Sequence, residues 1–296
     1  MIAPMSIIRR ILRWLGILVI GVVGLVVVAI AYVYISSERI INRTYAIPGT
    51  SIAIPSDSAS IAEGQRLAMI RGCYAGCHGA EAEGSVFIDE PLLARLVAPN
   101  LTWVVGERSE AELERIVRHG VFPDGRSTLG MPSSMFHLLS DEDLGVILAF
   151  LRNLPPSEGP QTAMSVGPLG RLALALGQYT PQAALIDHDA PRPTIDTSDS
   201  LAYGRYLALT VCTECHGLDL AGGEDGFTPD LAIAVAYSET AFVRLMRTGK
   251  AVGERELNLM SEVARRRFTH FTDAEIRALY GFLKNRASLG TIPGEG

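Results

Sequence analysis

The chain has 296 residues, enough for two domains of ordinary size, and its 48% hydrophobic and 20% charged composition excludes a largely disordered protein. A net charge of −6 argues against nucleic acid as a partner. The high mean hydropathy, +0.24, traces to one segment near the N-terminus.

That segment comes first in the chain. From Trp14 to Ile35 there is no Asp, Glu, Lys or Arg. As a helix it spans roughly 33 Å, against about 30 Å for a bilayer core. Arg9, Arg10 and Arg13 precede it and orient the N-terminus to the cytoplasm, while Trp14, Tyr32 and Tyr34 suit the two interfaces. A cleaved signal peptide, with Ala29-Ile30-Ala31 as its small-residue site, is the competing reading, but such a core runs only about 7–15 residues. The sequence therefore predicts a cytoplasmic stub and single anchor over residues 1–36. Gly16, Gly21, Gly24 and Ala29 offer small-residue contact on that span. Beyond it, removing three arginines from the 26 basic residues leaves 23 against 32 acidic ones, a surface suited to a basic partner.

The rest of the chain repeats itself. Ala62-Glu63-Gly64-Gln65-Arg66-Leu67-Ala68 opens a first half as a helix and leads into Cys73-Tyr74-Ala75-Gly76-Cys77-His78-Gly79. Gly84 and a turn at Ala98-Pro99-Asn100-Leu101 follow. Ser109 caps a predicted helix over Glu110–His119, which Gly120 ends. Gly130-Met131-Pro132 forms a loop before Ser140-Asp141-Glu142-Asp143-Leu144, which opens a helix with Leu144, Ile147, Leu148 and Leu151 at helical spacing. Residues 156–198 carry Pro156, Pro160, Pro168, Pro181, Pro191 and Pro193 and read as an extended connector with one short helix over 168–176.

The second half keeps the order. Ala202-Tyr203-Gly204-Arg205-Tyr206-Leu207-Ala208 leads to Cys212-Thr213-Glu214-Cys215-His216-Gly217, then Gly222 and Thr228-Pro229-Asp230-Leu231. Ser238 precedes a helix over 239–247 that ends at Gly249. Thr272-Asp273-Ala274-Glu275-Ile276 opens the last helix, with Ile276, Leu279, Tyr280 and Leu283 at helical spacing. Ser140 with Asp143 and Thr272 with Glu275 carry a capping-box pattern. With no strand longer than a few residues, the predicted fold class is all-α, twice.

All four cysteines fall in the two short runs, and each run closes on a histidine. Cys-x-x-Cys-His is the pattern of covalent c-type haem attachment, and structural zinc would need two more ligands nearby. Cys212 and Cys215 have the standard spacing. Cys73 and Cys77 are separated by one residue more. Either the loop bulges at Tyr74 and presents both sulfurs, or Cys77 alone bonds, or the two close a disulfide without haem. The expectation is two covalently bound haem c groups, with His78 and His216 on the irons. Met131 and Met260, both ahead of a final helix, are the expected distal ligands, because methionine fills the site and suits electron transfer. Met135, His137 and His119 are the alternatives in the first half and His270 in the second, while Met246 beside Leu245 reads as core.

Asn100, Trp103 and Arg126 are candidate propionate partners. The competing assignment makes Trp103 core and Arg126 a solvated turn residue. Asp141, Glu142 and Asp143 read as helix caps favoured by the macrodipole rather than as catalytic carboxylates. His188, in the connector, is assigned nothing.

With both Cys-His-Gly loops, Gly130-Met131-Pro132-Ser133, Leu139-Ser140-Asp141-Glu142-Asp143-Leu144 and Phe150-Leu151-Arg152-Asn153-Leu154-Pro155-Pro156, the chain resembles the class I cytochrome c superfamily over roughly residues 55–290. It is most similar to membrane-anchored di-haem members and to cytochrome subunits of bacterial membrane-bound alcohol, aldehyde and gluconate dehydrogenases. The resemblance implies tandem cytochrome c domains at 37–155 and 199–296, joined by 156–198 and held on the periplasmic side of a bacterial inner membrane. It makes His78 and His216 proximal ligands, and Met131 and Met260 distal ones. The implied function is electron transfer, without a substrate of its own, from a membrane dehydrogenase or quinol oxidoreductase to an oxidase, reductase or soluble cytochrome. No Gly-x-Gly-x-x-Gly or P-loop points to a further cofactor. A di-haem peroxidase, and a structural or redox-sensing subunit of a larger complex, are the alternatives.

Overall fold

The first helix of the computed structural model, which describes residues 5–160, 162–193, 195–223 and 228–289, is α1 (Met5–Ile41). Its 37 residues overshoot the apolar stretch at both ends, so a stem stands beyond the span. α1 is long and apolar enough to cross a membrane, and its large apolar side chains from Ile7 to Ile35 are exposed except for half-buried Val33. The extreme residues of the expected stub (1–4) and of the expected second domain (290–296) lie outside the described residues.

In the first half α2 (Ser58–Ile70), capped by Asp57, packs on α6 (Asp141–Arg152). Between them come α3 (Leu101–Glu107), α4 (Glu110–His119) and α5 (Ser133–Phe136). In the second half α8 (Ser200–Leu207) packs on α12 (Asp273–Leu289), with α9 (Thr213–His216), α10 (Glu239–Thr248) and α11 (Leu259–Arg266) between. Both crossings are close enough to demand glycine. A Cβ on Gly64 would lie 1.8 Å from the Val146 carbonyl oxygen, and one on Gly204 would lie 2.1 Å from that of Ala278. The same backbone contact is thus built twice.

Two expectations need correction. The fold is not all helix: β1 (Ser85–Glu90) and β2 (Ala94–Ala98) form an antiparallel hairpin, with Ser85 opposite Ala98, and β3 (Ser165–Val166) adds to β2 with Val166 opposite Ala94. Nor is the connector only extended chain around its expected short helix: that helix is present as α7 (Pro168–Ala175), packed along the stem of α1, but β3 precedes it and joins the sheet. The helix starts follow their caps. Ser109 with Glu112 and Thr272 with Glu275 form complete capping boxes. Ser140 accepts from the Asp143 N–H, but the reciprocal bond is missing, because the Asp143 carboxylate turns instead to Arg71 and Tyr206.

One apolar cluster runs through both halves. Leu144, Ile147, Leu148 and Leu151 of α6 and Ile276, Leu279 and Leu283 of α12 belong to it, with Tyr206, Leu207 and Phe268. Each such side chain stabilises the fold by roughly 1.5–3 kcal/mol on burial. Polar contacts complete the seam. Arg66 grips the Glu275 carboxylate at 2.7 and 2.9 Å, and Tyr203 also donates to it at 3.1 Å. Tyr206 donates to Asp143 at 2.6 Å, and Arg71 pairs with the same carboxylate at 2.8 Å. Burial pushes the Glu275 carboxyl up, but the Arg66, Thr272 and Tyr203 donors outweigh it and hold the group below the usual carboxylate range.

Candidate haem attachment sites

The first Cys loop leaves α2 through Gly72, whose φ of +73° is a left-handed value that favours glycine. The Cys73 and Tyr74 N–H groups then both donate to the Ala68 carbonyl, at 2.9 and 3.2 Å. The extra residue is absorbed here and at Ala75, with φ +54°, and the Tyr74 ring packs edge-on against Phe150. In the second half the entry differs: a π-helical turn (Ala208–Cys212) runs directly into α9.

Past the second cysteine the two halves converge. His78 Nδ1 donates to the Pro99 carbonyl at 2.9 Å, and His216 Nδ1 to the Pro229 carbonyl at 2.8 Å. Gly84 N–H donates to the His78 carbonyl and Gly222 N–H to that of His216, at 2.7 and 2.9 Å. Leu101 N–H donates to Ala82 and Leu231 N–H to Leu220, and both acceptors are non-glycine residues at positive φ. Asn100 and Asp230 then cap the next helical turn through Thr102 and Ala232. A carbonyl can only accept, so Nδ1 carries the proton in each neutral imidazole and Nε2 is left as the free lone pair. Burial holds the His78 imidazole below its ordinary range, which keeps it neutral.

None of the four cysteines is paired with another. Cys73 and Cys212 are partly covered while Cys77 and Cys215 are exposed, the same pattern in each loop. Burial pushes the Cys73 thiol up to about 11 and the Cys212 thiol up to about 12. Both are thiols rather than thiolates at neutral pH, unlike the activated cysteines of redox-active sites.

In the first half Cys73, Cys77, His78 and Met131 line one cavity of about 210 Å³. Leu101, Val105, Leu113, Ile147 and Leu148 supply apolar wall from α3, α4 and α6, and Phe87 and Val97 supply it from the hairpin. Met131 stands in the loop ahead of α5, where a Cβ on Gly130 would meet the Phe87 ring at 2.4 Å. Met135 is buried in the core cluster instead. Arg71 and Arg108 also line the cavity, and Arg71 Nε and Nη1 and Arg108 Nε are buried without a partner. Glu214, from the second Cys loop, completes the wall.

Other expected residues sit elsewhere. Asn100 and Trp103 donate to the Ser157 carbonyl at 2.7 and 2.9 Å, and Trp103 is exposed rather than core. Arg126 is exposed and paired with Asp124. His119 and His137 lie in a separate polar cluster with Glu114, Arg118 and Arg192, and His188 joins it through a 2.9 Å contact between its Nδ1 and that of His119. Asp141 is more than a cap, since it pairs with Arg118 at 2.7 Å. In the second half Met260 is on the first turn of α11, packed against the core cluster, Met246 is buried, and His270 is half-buried. Arg108 lines the cavity although nothing in its sequence neighbourhood marks it out.

Residues 61–155 match the family model described as Cytochrome c. That stretch is a cytochrome c domain. Among similar proteins, the cytochrome c subunit of an alcohol dehydrogenase (quinone) from Gluconacetobacter polyoxogenes is 26% identical over 83% of this chain and 60% of the relative. The gluconate 2-dehydrogenase cytochrome c subunit of Pantoea cypripedii is 24% identical over 78% of this chain and 60% of the relative. The fructose dehydrogenase cytochrome subunit of Gluconobacter japonicus is 27% identical over 45% of this chain and 27% of the relative. The chain thus spans about 60% of the first two of these relatives. A cytochrome c domain implies covalently bound haem c. The cavity fits such a group: two thiols, an open imidazole nitrogen and a thioether share an apolar enclosure, and unpartnered guanidinium atoms are available for acidic substituents.

Proposed function

We propose that this chain is a membrane-anchored di-haem cytochrome c, with tandem domains at 37–155 and 199–296 joined by residues 156–198. Cys73 and Cys77 attach one haem and Cys212 and Cys215 the other. His78 and His216 would supply one protein ligand to each iron, and Met131 and Met260 the other. The observation that carries this reading is the duplicated cradle, in which Pro99 and Pro229 orient the two imidazoles through equivalent hydrogen bonds. When bound, haem c supplies a one-electron iron couple whose potential follows its axial ligands.

The residues of the chain do the rest. Pro99 and Pro229 fix the ring planes and the tautomers. The walls from α3, α4, α6 and the hairpin exclude water from the first site, and Cys77 and Cys215 leave an edge of each site at the surface. The two loops adjoin. Arg267 donates to the Ile70 carbonyl beside the first loop and pairs with Glu214 of the second at 2.8 Å. The two attachment loops thus sit side by side, which would let haems held there exchange an electron within one chain.

α1 anchors the protein in a bacterial inner membrane, with both domains on the periplasmic side. The donor is a membrane dehydrogenase or quinol oxidoreductase, and the acceptor lies downstream in a respiratory chain. Purification in mild detergent through a C-terminal tag tests this. A dehydrogenase or quinol oxidoreductase recovered in fixed ratio supports the reading. A five-coordinate, high-spin resting haem with peroxide turnover overturns it in favour of a peroxidase.

A further inference from the structure

The stem of α1 is held by α7. Arg171 donates to Ser37 Oγ at 3.0 Å and to Glu38 at 2.8 Å, and its guanidinium lies 5.0 Å from the centre of the Tyr34 ring. Ser37 is fully buried by this contact. Tyr34 ends the apolar stretch, where aromatic side chains mark the membrane interface. α7 therefore sits at interface height, beside the point where α1 leaves the apolar zone.

α7 carries the turn of the hairpin on its N-terminal end. Gly167 and Leu169 N–H donate to the Leu93 and Leu92 carbonyls at 2.9 and 2.8 Å. The approach needs glycine, since a Cβ on Gly170 would lie 2.2 Å from the Leu93 oxygen. What these elements turn outward is apolar. Leu169, Leu172 and Leu176 form one stripe at helical spacing, Leu92 and Leu93 extend it, and Leu92 and Leu176 are 64% and 60% exposed. Leu174, on the opposite side of α7, is buried. Arg39 on the adjoining stem and Arg43 just beyond it stand exposed, where anionic headgroups would meet them.

We propose that α7 and the β1–β2 turn form a second, peripheral membrane contact, a leucine-lined face lying in the phospholipid interface beside α1. The inference rests on α1 being a membrane anchor. An exposed apolar face of this size is unusual on a soluble surface. Here it is continuous with a span whose surroundings are lipid, and the Arg171–Ser37–Glu38 contact keeps it at that height. The same hairpin contributes Phe87 and Val97 to the cavity wall, so the contact fixes how the first cavity faces the bilayer.

The test uses the full-length, haem-loaded protein in nanodiscs of phosphatidylethanolamine and phosphatidylglycerol. A phospholipid with a diazirine near the glycerol end of its acyl chain is included, and adducts are mapped by peptide mass spectrometry after irradiation. Adducts are expected on α1 and also on peptides covering 91–93 and 169–176. Replacing Leu169, Leu172 and Leu176 together by Gln should abolish the latter two sets, leaving α1 labelling and the visible spectrum unaltered. Adducts on α1 alone in the unmodified protein, or α7 labelling that survives the triple replacement, would overturn the membrane contact while leaving the anchor standing. Absence of adducts on α1 itself would remove the anchor, and the inference with it.

Discussion

The two Cys loops reach one geometry from different lengths of chain. Before the histidine they diverge: one residue more between the cysteines and a left-handed exit in the first half, a π-helical turn in the second. After it they coincide, in the proline carbonyl that holds the imidazole and in the glycine that turns back to the histidine carbonyl. The constant part is therefore the cradle around the imidazole. Cysteine spacing is free to vary because a loop can bulge, as it does at Tyr74, without moving the ring. The enclosures differ too. A β-hairpin closes the first site, whereas only six residues of sequence separate Gly222 from Pro229 in the second half.

If the halves are separate copies locked at one seam, the seam is where they can be made to behave differently. The largest effect is expected for Glu275→Ala, which removes two of the Arg66 bonds and the Tyr203 bond across the seam and leaves the guanidinium on Glu63 and the His270 carbonyl. A loss of about 2–4 kcal/mol in denaturant unfolding is expected, since hydrogen bonds to charged groups contribute about 1.5–3 kcal/mol each. A loss within about 0.5 kcal/mol, the range of an ordinary surface change, would show the seam to be ornamental.

Next in size are Gly64→Ala and Gly204→Ala. Each forces a methyl into a backbone carbonyl, at about 1–3 kcal/mol for overpacking. The comparison predicts similar losses at both, measured by thermal unfolding. A loss at one position and none at the other would break the equivalence of the crossings.

The smallest effect is a pH response confined to the first half. Burial pushes His137 down, and burial together with the neighbouring His119 does the same to His188. Glu114, Arg118, Arg192, Asp187 and Asp189 surround them. A depressed histidine is neutral in the fold, so its contribution is complete above about pH 6.5 and is lost as pH falls through the folded value. Glu275 is depressed in the same direction but from a lower ordinary value: it contributes above 4.5 and is lost only below that. The protection of amides near residues 183–190, taken relative to their intrinsic exchange rates, should therefore fall as pH drops below about 6.5 while the α8–α12 crossing stays protected. Simultaneous loosening of both would contradict this assignment.

The helix starts were legible because capping is local: Ser109, Ser238 and Thr272 sit within four residues of the groups they satisfy. The Cys-His loops were legible for the same reason. What escaped depends on distant partners. The hairpin has an irregular alternation, broken by a bulge between Val86 and Ile88, and one side faces the cavity, so it lacks a period-two signal. Asp143 reads as half of a capping box until Arg71 and Tyr206 are seen to claim its carboxylate. Arg108 and His188 gain their surroundings only through tertiary contacts.

The central claim is that each half holds its own covalent haem. The intact mass of the purified, denatured chain tests it most directly, alongside a variant with Cys212 and Cys215 both replaced by Ser. The account predicts two haems on the unmodified chain and one on the variant, retained by Cys77 with or without Cys73. A single haem on the unmodified chain, or an unaltered haem count in the variant, would contradict it.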